Sequence, residues 1–443
     1  MKPRRFRQSL AVLAAGSMLV TLAACGGSQP TGPSDSQESS GVDAASAGAT
    51  LWGLTGGSEP ALRSSLKRWN SAHSDQQIAA EWFANDAYKE KIRTSIGSGN
   101  SPTLIYSWGG GTLADYVADD AVIDLGDQLK PALDRVFESV VDTGRVNGDI
   151  YAVPMNQSQP IVLYYNKKLF EEAGISVPST YAELLDAVET FKSQDVIPIA
   201  LAGQSVWPEL MYIEYLVDRI GGPEVFDAVL AGEQGAWSDP AIVEALTKIQ
   251  ELVDAGAFGE GFASTSADGG GDTALVYTGR AAMVLQGAWV YPNFLKNAPE
   301  FMEAGKLGYA PFPAVKGGSG DEANLVGNPS NYWSVSAAAS EEEQQVAIDY
   351  LLAETYSKEN VQDFLEIGTV PPLKGIEDEV AAADESGYLP FVYDMIKSAP
   401  HFQLSWDQAL PPDQAQALLD NLSKIFLGQI TPQQFVDAMN ATL

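Results

Sequence analysis

The sequence predicts an α/β fold in two lobes with a cleft between them. Two observations carry this. Strands and helices alternate from Ala49 onward, and a second alternating run begins after Pro154. The chain has 443 residues, which leaves room for two or three domains at roughly 100–200 residues each.

The N-terminus reads as a processing segment rather than as fold. Lys2, Arg4, Arg5 and Arg7 make a basic start. Leu10 to Leu22 is apolar but too short to span a bilayer as a helix. Leu22-Ala23-Ala24-Cys25 then resembles the lipobox of a bacterial lipoprotein signal, with cleavage after residue 24 and lipid on Cys25. Cys25 is the single cysteine of the chain, so a structural disulfide within it is excluded. Arg4-Arg5 leaves the export route, Sec or Tat, open. Residues 25–48 are rich in Ser, Gly, Pro and Ala and are expected to form a disordered tether, because they have too little apolar surface to repay ordering.

The body starts at "ATLWGLT", a strand from Ala49 to Thr55. Ser58 is expected to cap the next helix, Pro60 suits its first turn, and Leu62, Leu66 and Trp69 form its apolar stripe. Gln77 to Ala84 reads as a strand, Tyr88 to Ile96 as a helix and "TLIYSW" as a strand that ends in Trp108. This spacing predicts a βαβαβ unit with a parallel sheet. Three glycines follow Trp108 and suggest backbone kept clear of a ligand. In the second run, "IVLYYN", "IPIALA" and "AAMVLQGAW" read as strands. Thr180 with Glu183 and Ser340 with Glu343 form capping boxes, and Ser238 is expected to cap the helix that presents Ile242, Leu246, Ile249 and Val253. The C-terminal third reads as mostly helical. Ligands of open α/β sheets bind beyond the carboxyl ends of the strands, where both Trp108 and Trp289 fall.

The formal charge of −32 argues against nucleic acid and anionic lipid headgroups as partners of the body. Without the first 24 residues the balance is 22 basic against 58 acidic side chains. Enzyme signatures are scarce. There is no HExxH, no Gly-x-Ser-x-Gly elbow, no Walker A pattern and no GxGxxG. His73 and His401 are the two histidines, far apart in sequence and expected to be packing or surface residues. No metal ligand set and no cofactor motif emerges. Carboxylates are abundant, so counting alone leaves a two-carboxylate glycosidase open.

Aromatic residues instead recur beside small and amide residues in loops, as in "YSWGGG", "VPMNQSQP", "GQSVWPE", "QGAWVYPN", "VGNPSNYW" and "LSWDQALPP". Sugars present flat C–H faces that suit aromatic rings and dense hydroxyls that suit Asn, Gln, Asp and Glu. Taken singly, each loop Trp reads as core before platform, and Trp52, Trp69 and Trp333 read as core outright. Several such loops together point to carbohydrate.

These segments also carry a family resemblance. "TGGSE" (Thr55 to Glu59), "YAVPMNQSQPIVLYYNKKLFEEAGI" (Tyr151 to Ile175), "STYAELLDAVETFK" (Ser179 to Lys192) and "GRAAMVLQGAW" (Gly279 to Trp289) closely resemble the extracellular solute-binding proteins of sugar ABC importers, relatives of maltose-binding protein. The resemblance covers essentially the whole mature chain. "SWGGGTLADYV" and "NPSNYWSV" are similar to the actinobacterial oligosaccharide subgroup. It implies a two-lobed periplasmic-binding-protein fold of class II, with three interlobe crossings near Asn156 to Pro160, Leu325 to Pro329 and Gly368 to Gly375. One lobe would comprise residues 49–158 and 328–375, the other 159–327 and 376–443. Carried over residue by residue, the ligand site would include Ser58, Glu59, Trp108, Asn156, Trp289, Asn328 and Tyr332. The loops of Trp207, Trp406 and Asp407 match the subgroup, but which way their side chains face stays open. The chain departs from maltose-binding protein at many polar positions, so sugar identity does not carry over.

The resemblance thus implies a non-enzymatic, monomeric lipoprotein on the extracellular face of the cytoplasmic membrane. It would capture a neutral di- or oligosaccharide and deliver it to an ABC permease, touching the membrane through its lipid alone. A secreted glycoside hydrolase and a binding protein for a non-sugar solute are the competing expectations.

Overall fold

The computed structural model describes residues 42–44, 47–384 and 386–443. The expected signal, Cys25 and most of the expected tether lie outside the described residues. Among the described residues no helix is long and apolar enough to cross a membrane.

The first sheet starts from strand β1 (Ala49–Leu54), β2 (Ile78–Phe83) and β3 (Leu104–Ser107). β1 runs parallel to both neighbours, with Ala49 opposite Ile78 and Leu51 opposite Leu104. Helices Glu59–Ala72 and Asn85–Gly97 connect them, so the expected βαβαβ unit is present. A two-stranded hairpin follows, β4 (Arg145–Val146) with β5 (Asp149–Ile150). Its turn is Asn147-Gly148, both at positive φ, the arrangement a tight hairpin favours. The remaining strands are β6 (Val153–Pro154), β7 (Gln159–Asn166), β8 (Ile197–Ala200), β9 (Ala281–Gly287), β10 (Leu307–Ala310), β11 (Leu325–Asn328), β12 (Tyr332–Val335) and β13 (Phe402–Leu404).

Two sheets result. The first has the order β2-β1-β3-β12-β6, and the second β13-β11-β7-β9-β8 with β10 also paired to β7. The second sheet is covered on both faces, as the alternation along β7 shows. Ile161 and Leu163 pack with Leu184, Phe191 and Met283, whereas Val162 and Tyr164 join a cluster with Tyr291 and Phe294. The chain passes between the sheets through residues 155–158, through 329–331, and again between Gly368 and β13. The last passage starts beside the first, because the Ser158 N–H donates to the Val370 carbonyl (2.8 Å). Helix Tyr388–Ser398 touches the flanks of both sheets. The Tyr393 hydroxyl donates to the Leu373 carbonyl near Phe137, while Tyr388 stacks on Tyr291 at 3.6 Å.

Several local expectations change. The capping boxes at Thr180 and Ser340 are formed, and Thr431 with Gln434 makes a third. Ser58 makes no capping hydrogen bond; the Glu59 carboxylate accepts the Gly56 N–H instead (2.8 Å). Asp239, not Ser238, caps helix Pro240–Ala255: its Oδ1 accepts the Ala241 N–H (2.8 Å), while Ser238 Oγ accepts from Asn440 Nδ2 (2.8 Å). Trp69 and Trp333 are core residues. Trp52 is only half-buried and lies edge-on to Phe83, because odd positions of β1 point inward and Trp52 is even.

Candidate functional site

The carboxyl ends of β1, β3 and β9 open onto a cleft between the sheets with a volume of about 250 Å³. Six of the residues expected at the site line it: Ser58, Trp108, Trp207, Trp289, Asn328 and Asp407. The backbone explains each position. Ser58 follows the turn Gly56-Gly57, where both glycines have positive φ and swing the chain from strand to helix. Trp108 follows β3 and is held by Tyr88 and Tyr106, whose rings approach it edge-on at 5.9 and 5.8 Å. It keeps only a sliver of exposure toward the cleft, and Lys89 Nζ sits 5.4 Å from its ring centre. Trp207 and Trp289 meet edge-to-face on the opposite wall, 5.8 Å apart. Trp207 follows Val206, a β-branched residue at φ +61°, a strained backbone that this wall maintains.

Four expected residues are placed elsewhere. The Glu59 carboxylate is taken up by the Gly56 N–H and by Arg63 Nε (2.7 Å), so it serves the helix start. Asn156 is fully buried and its amide donates to the Thr355 carbonyl. Tyr332 is buried with its hydroxyl donating to the Val140 carbonyl (2.8 Å). Trp406 lies flat on Phe226 at 4.1 Å and edge-on to Trp237, inside the second core. These four do not line the cleft. Asn156 lies in the bend between β6 and β7, outside both strands, where its amide is taken up by Thr355.

The three glycines after Trp108 also have a different task from the expected one. They do not line the cleft. A β-carbon on Gly110 would come within 2.8 Å of Leu404, Gln408 and Ala409, and one on Gly111 would overlap Leu410 and Pro411. Gly110 and Gly111 let the first lobe's backbone rest directly on the end of β13 and the segment after it, and Gly109 lies against Thr143.

The cleft floor is an amide ladder whose members the sequence does not mark one by one. Asn331 Nδ2 donates to Gln159 Oε1 (2.8 Å), Gln159 Nε2 to Gln157 Oε1 (3.0 Å), and Gln157 Nε2 to the Tyr106 hydroxyl (3.3 Å). Gln408 Nε2 donates to Asn328 Oδ1 (2.9 Å). A signal existed for part of this. Gln159 begins β7 and shares a face with Ile161, two residues on, which also lines the cleft.

Two further cleft carboxylates, Asp268 and Asp272, sit in a stretch without any sequence signature. Asp272 is buried; its Oδ2 accepts from Gln286 Nε2 (2.7 Å) and its Oδ1 from the Thr273 N–H (2.8 Å). Burial pushes its carboxyl above the ordinary carboxylate range. Asp268 Oδ2 accepts the Asp86 N–H (3.2 Å) from the opposite lobe, and burial with the nearby Asp86 charge raises its pKa. Lys89 is the one cation among the residues lining the cleft, and it is paired with Asp407 at 3.3 Å. The cleft is therefore rich in amides and indoles, with more negative than positive charge.

Comparison with known proteins agrees with this architecture. A model of the bacterial extracellular solute-binding proteins matches residues 55–358. An uncharacterized ABC transporter extracellular-binding protein of Pyrococcus horikoshii is 25% identical over 301 residues, 64% of this chain and 65% of the relative. The xylose/arabinose-binding protein of Haloferax volcanii is 27% identical over 278 residues, 60% of this chain and 58% of the relative. The chain thus spans less than two thirds of the length of these two curated relatives. A solved structure from work on xylan utilization by the thermophilic bacterium Caldanaerobius polysaccharolyticus is 30% identical, with a TM-score of 0.79, covering 89% of this chain and 99% of that one. A chitin oligosaccharide binding protein shares the fold with the same TM-score, 0.79, at 24% identity, over 89% of this chain and 97% of its own. With the family match extending over more than half of its length, the chain belongs to the bacterial extracellular solute-binding proteins.

Proposed function

We propose that the protein is a sugar-binding component of an ABC importer, which captures a neutral di- or oligosaccharide in the cleft and hands it to a membrane permease. The observation that carries this is the cleft lining: Trp108, Trp207 and Trp289 around a floor of hydrogen-bonded Gln and Asn side chains. Indole faces remove sugar C–H surface from water, and fixed amides offer paired donors and acceptors to hydroxyls. The volume of about 250 Å³ suits a short saccharide rather than a polymer. Charge supports a neutral ligand, because the one cation lining the cleft, Lys89, is already paired with Asp407 and none is left for a phosphate or uronate. Trp108, Trp207 and Trp289 would contact the rings, and Ser58, Asn328, Asp407 and the floor amides the hydroxyls. Binding would favour the form in which the lobes are together, the state the permease would receive.

The rest of the reading is that the protein acts as a monomer at the extracellular face of the cytoplasmic membrane, held by lipid on Cys25. The names of the relatives, among them a xylose/arabinose-binding protein, support binding without chemistry. A thermal-shift screen over xylo-, chito- and malto-oligosaccharides tests it. A ligand at one hundred times its dissociation constant adds about 2.7 kcal/mol of stability. No shift with any of them would remove the sugar assignment, and new reducing ends during incubation would replace binding with hydrolysis.

A further inference from the structure

We infer that Gly287 is a positioning residue for the cleft: it sets the orientation of the Trp289 indole and, through it, the shape of the wall that Trp289 makes with Trp207. The inference rests on the sugar-binding reading for its effect on affinity, but not for its geometry.

Trp289 stands two residues after Gly287, in the single 3-10 turn Ala288–Val290 that ends β9. That turn folds the six-membered part of the indole back over the Gly287 α-carbon. A β-carbon at position 287 would lie inside the contact envelope of Trp289 Cε3, Cζ3 and Cη2. The backbone does not require glycine here. Gly287 has φ −69° and ψ 161°, an extended conformation that alanine adopts without strain. The missing side chain is needed for the indole alone, which distinguishes this glycine from those that serve turns.

The ring so placed has few other ways to lie. One side rests on Gly287, and Trp207 meets it edge-to-face at 62°. Gly57 of the opposite lobe is next to the Trp289 carbonyl, since a β-carbon there would be 3.7 Å from that oxygen. A methyl group at 287 must therefore tip the indole away from its strand, either into the cleft or off Trp207. Both outcomes change the aromatic surface offered to a ligand while leaving the sheet register of β9 intact.

The test uses the full mature chain with Gly287→Ala, Trp289→Leu and the double variant. In the ligand-free protein, far-ultraviolet circular dichroism reads indole coupling, to which the Trp207–Trp289 pair and the buried Trp237–Trp406 pair both contribute. Trp289→Leu removes the Trp207–Trp289 contribution, and the difference from the parent calibrates it. Gly287→Ala is expected to diminish it while the melting temperature of the ligand-free protein stays close to that of the parent. An unchanged indole signal overturns the inference, whatever the ligand. Calorimetry with xylotriose, chitotriose and maltotriose then reads affinity. Gly287→Ala is expected to cost about tenfold, and no further loss is expected when it is added to Trp289→Leu. Equal losses in both backgrounds would show that Gly287 acts by another route and overturn its role. Failure of all three sugars to bind the unmodified protein would count against the sugar reading, with the indole signal still deciding the role of Gly287.

Discussion

Lys89 and Asp407 face each other across the cleft, Nζ to Oδ2 3.3 Å, one on helix Asn85–Gly97 and the other just after β13. The pair joins the two walls at a point where both residues also line the cavity. Asp407 is largely buried and Lys89 about one third exposed, so salt screens the pair in part. Lys89→Met is expected to weaken saccharide binding by about 0.5–1 kcal/mol at low ionic strength and to flatten the dependence of affinity on salt. Titration calorimetry at two salt concentrations reads both effects, and an unaltered salt slope would separate the pair from closure.

Trp289 is the half-buried indole of the opposite wall. Trp289→Ala is expected to reduce saccharide affinity by about 2 kcal/mol or more while leaving the melting temperature of the ligand-free protein nearly unchanged. Equal affinity in a folded variant would take Trp289 out of the site.

Trp406 should behave in the opposite way. It is buried between Phe226 and Trp237, away from the lining. Trp406→Ala is expected to cost about 3–5 kcal/mol in stability through the cavity it leaves. Denaturant melts measure that loss. A variant with full stability and lost affinity would return Trp406 to the site.

Gly111 rests on Leu410 and Pro411 with no room for a side chain. Gly111→Ala should hold the lobes slightly apart, raising the radius of gyration of the ligand-bound protein and lowering affinity about tenfold. Small-angle scattering with and without ligand would show it, and identical scattering curves would mean that the segment yields instead.

Glu214 carries a pH signature. It is buried, with Oε1 accepting the Trp406 N–H (2.7 Å) and the Ser405 hydroxyl (3.0 Å), and burial raises its pKa from 4.5 to about 8. The folded chain thus retains a proton that the unfolded chain releases. Stability from this group is full below pH 4.5 and is lost as pH rises toward about 8. Glu214→Gln mimics the protonated form, so the difference in melting temperature between variant and parent should grow from pH 5 to pH 8. A constant difference across that range would assign the slope to other groups.

Much of the fold was legible because its signals are local. The parallel unit of β1, β2 and β3 follows from strand and helix periods over short stretches, and the boxes at Thr180 and Ser340 from residues three apart. The short strands β11, β12 and β13 were not legible as strands, since three or four residues carry no period and their partners are far away in sequence. The same division runs through the site. Loops rich in Trp, Gly and amides marked the right segments, but within "LSWDQALPP" the larger Trp406 turned inward and Asp407 and Gln408 faced the cleft.

By itself, the sequence determined the α/β class, the order of its main elements and which loops gather at the strand ends, because hydrophobic period and capping act over a few residues. Tertiary structure alone decided which side chain of each loop faces the cavity, why Gly110 and Gly111 are bare, and that Asp268 and Asp272 join the wall. Those choices depend on a second surface brought from a distant part of the chain, and the energy of that contact is not written in either segment taken alone.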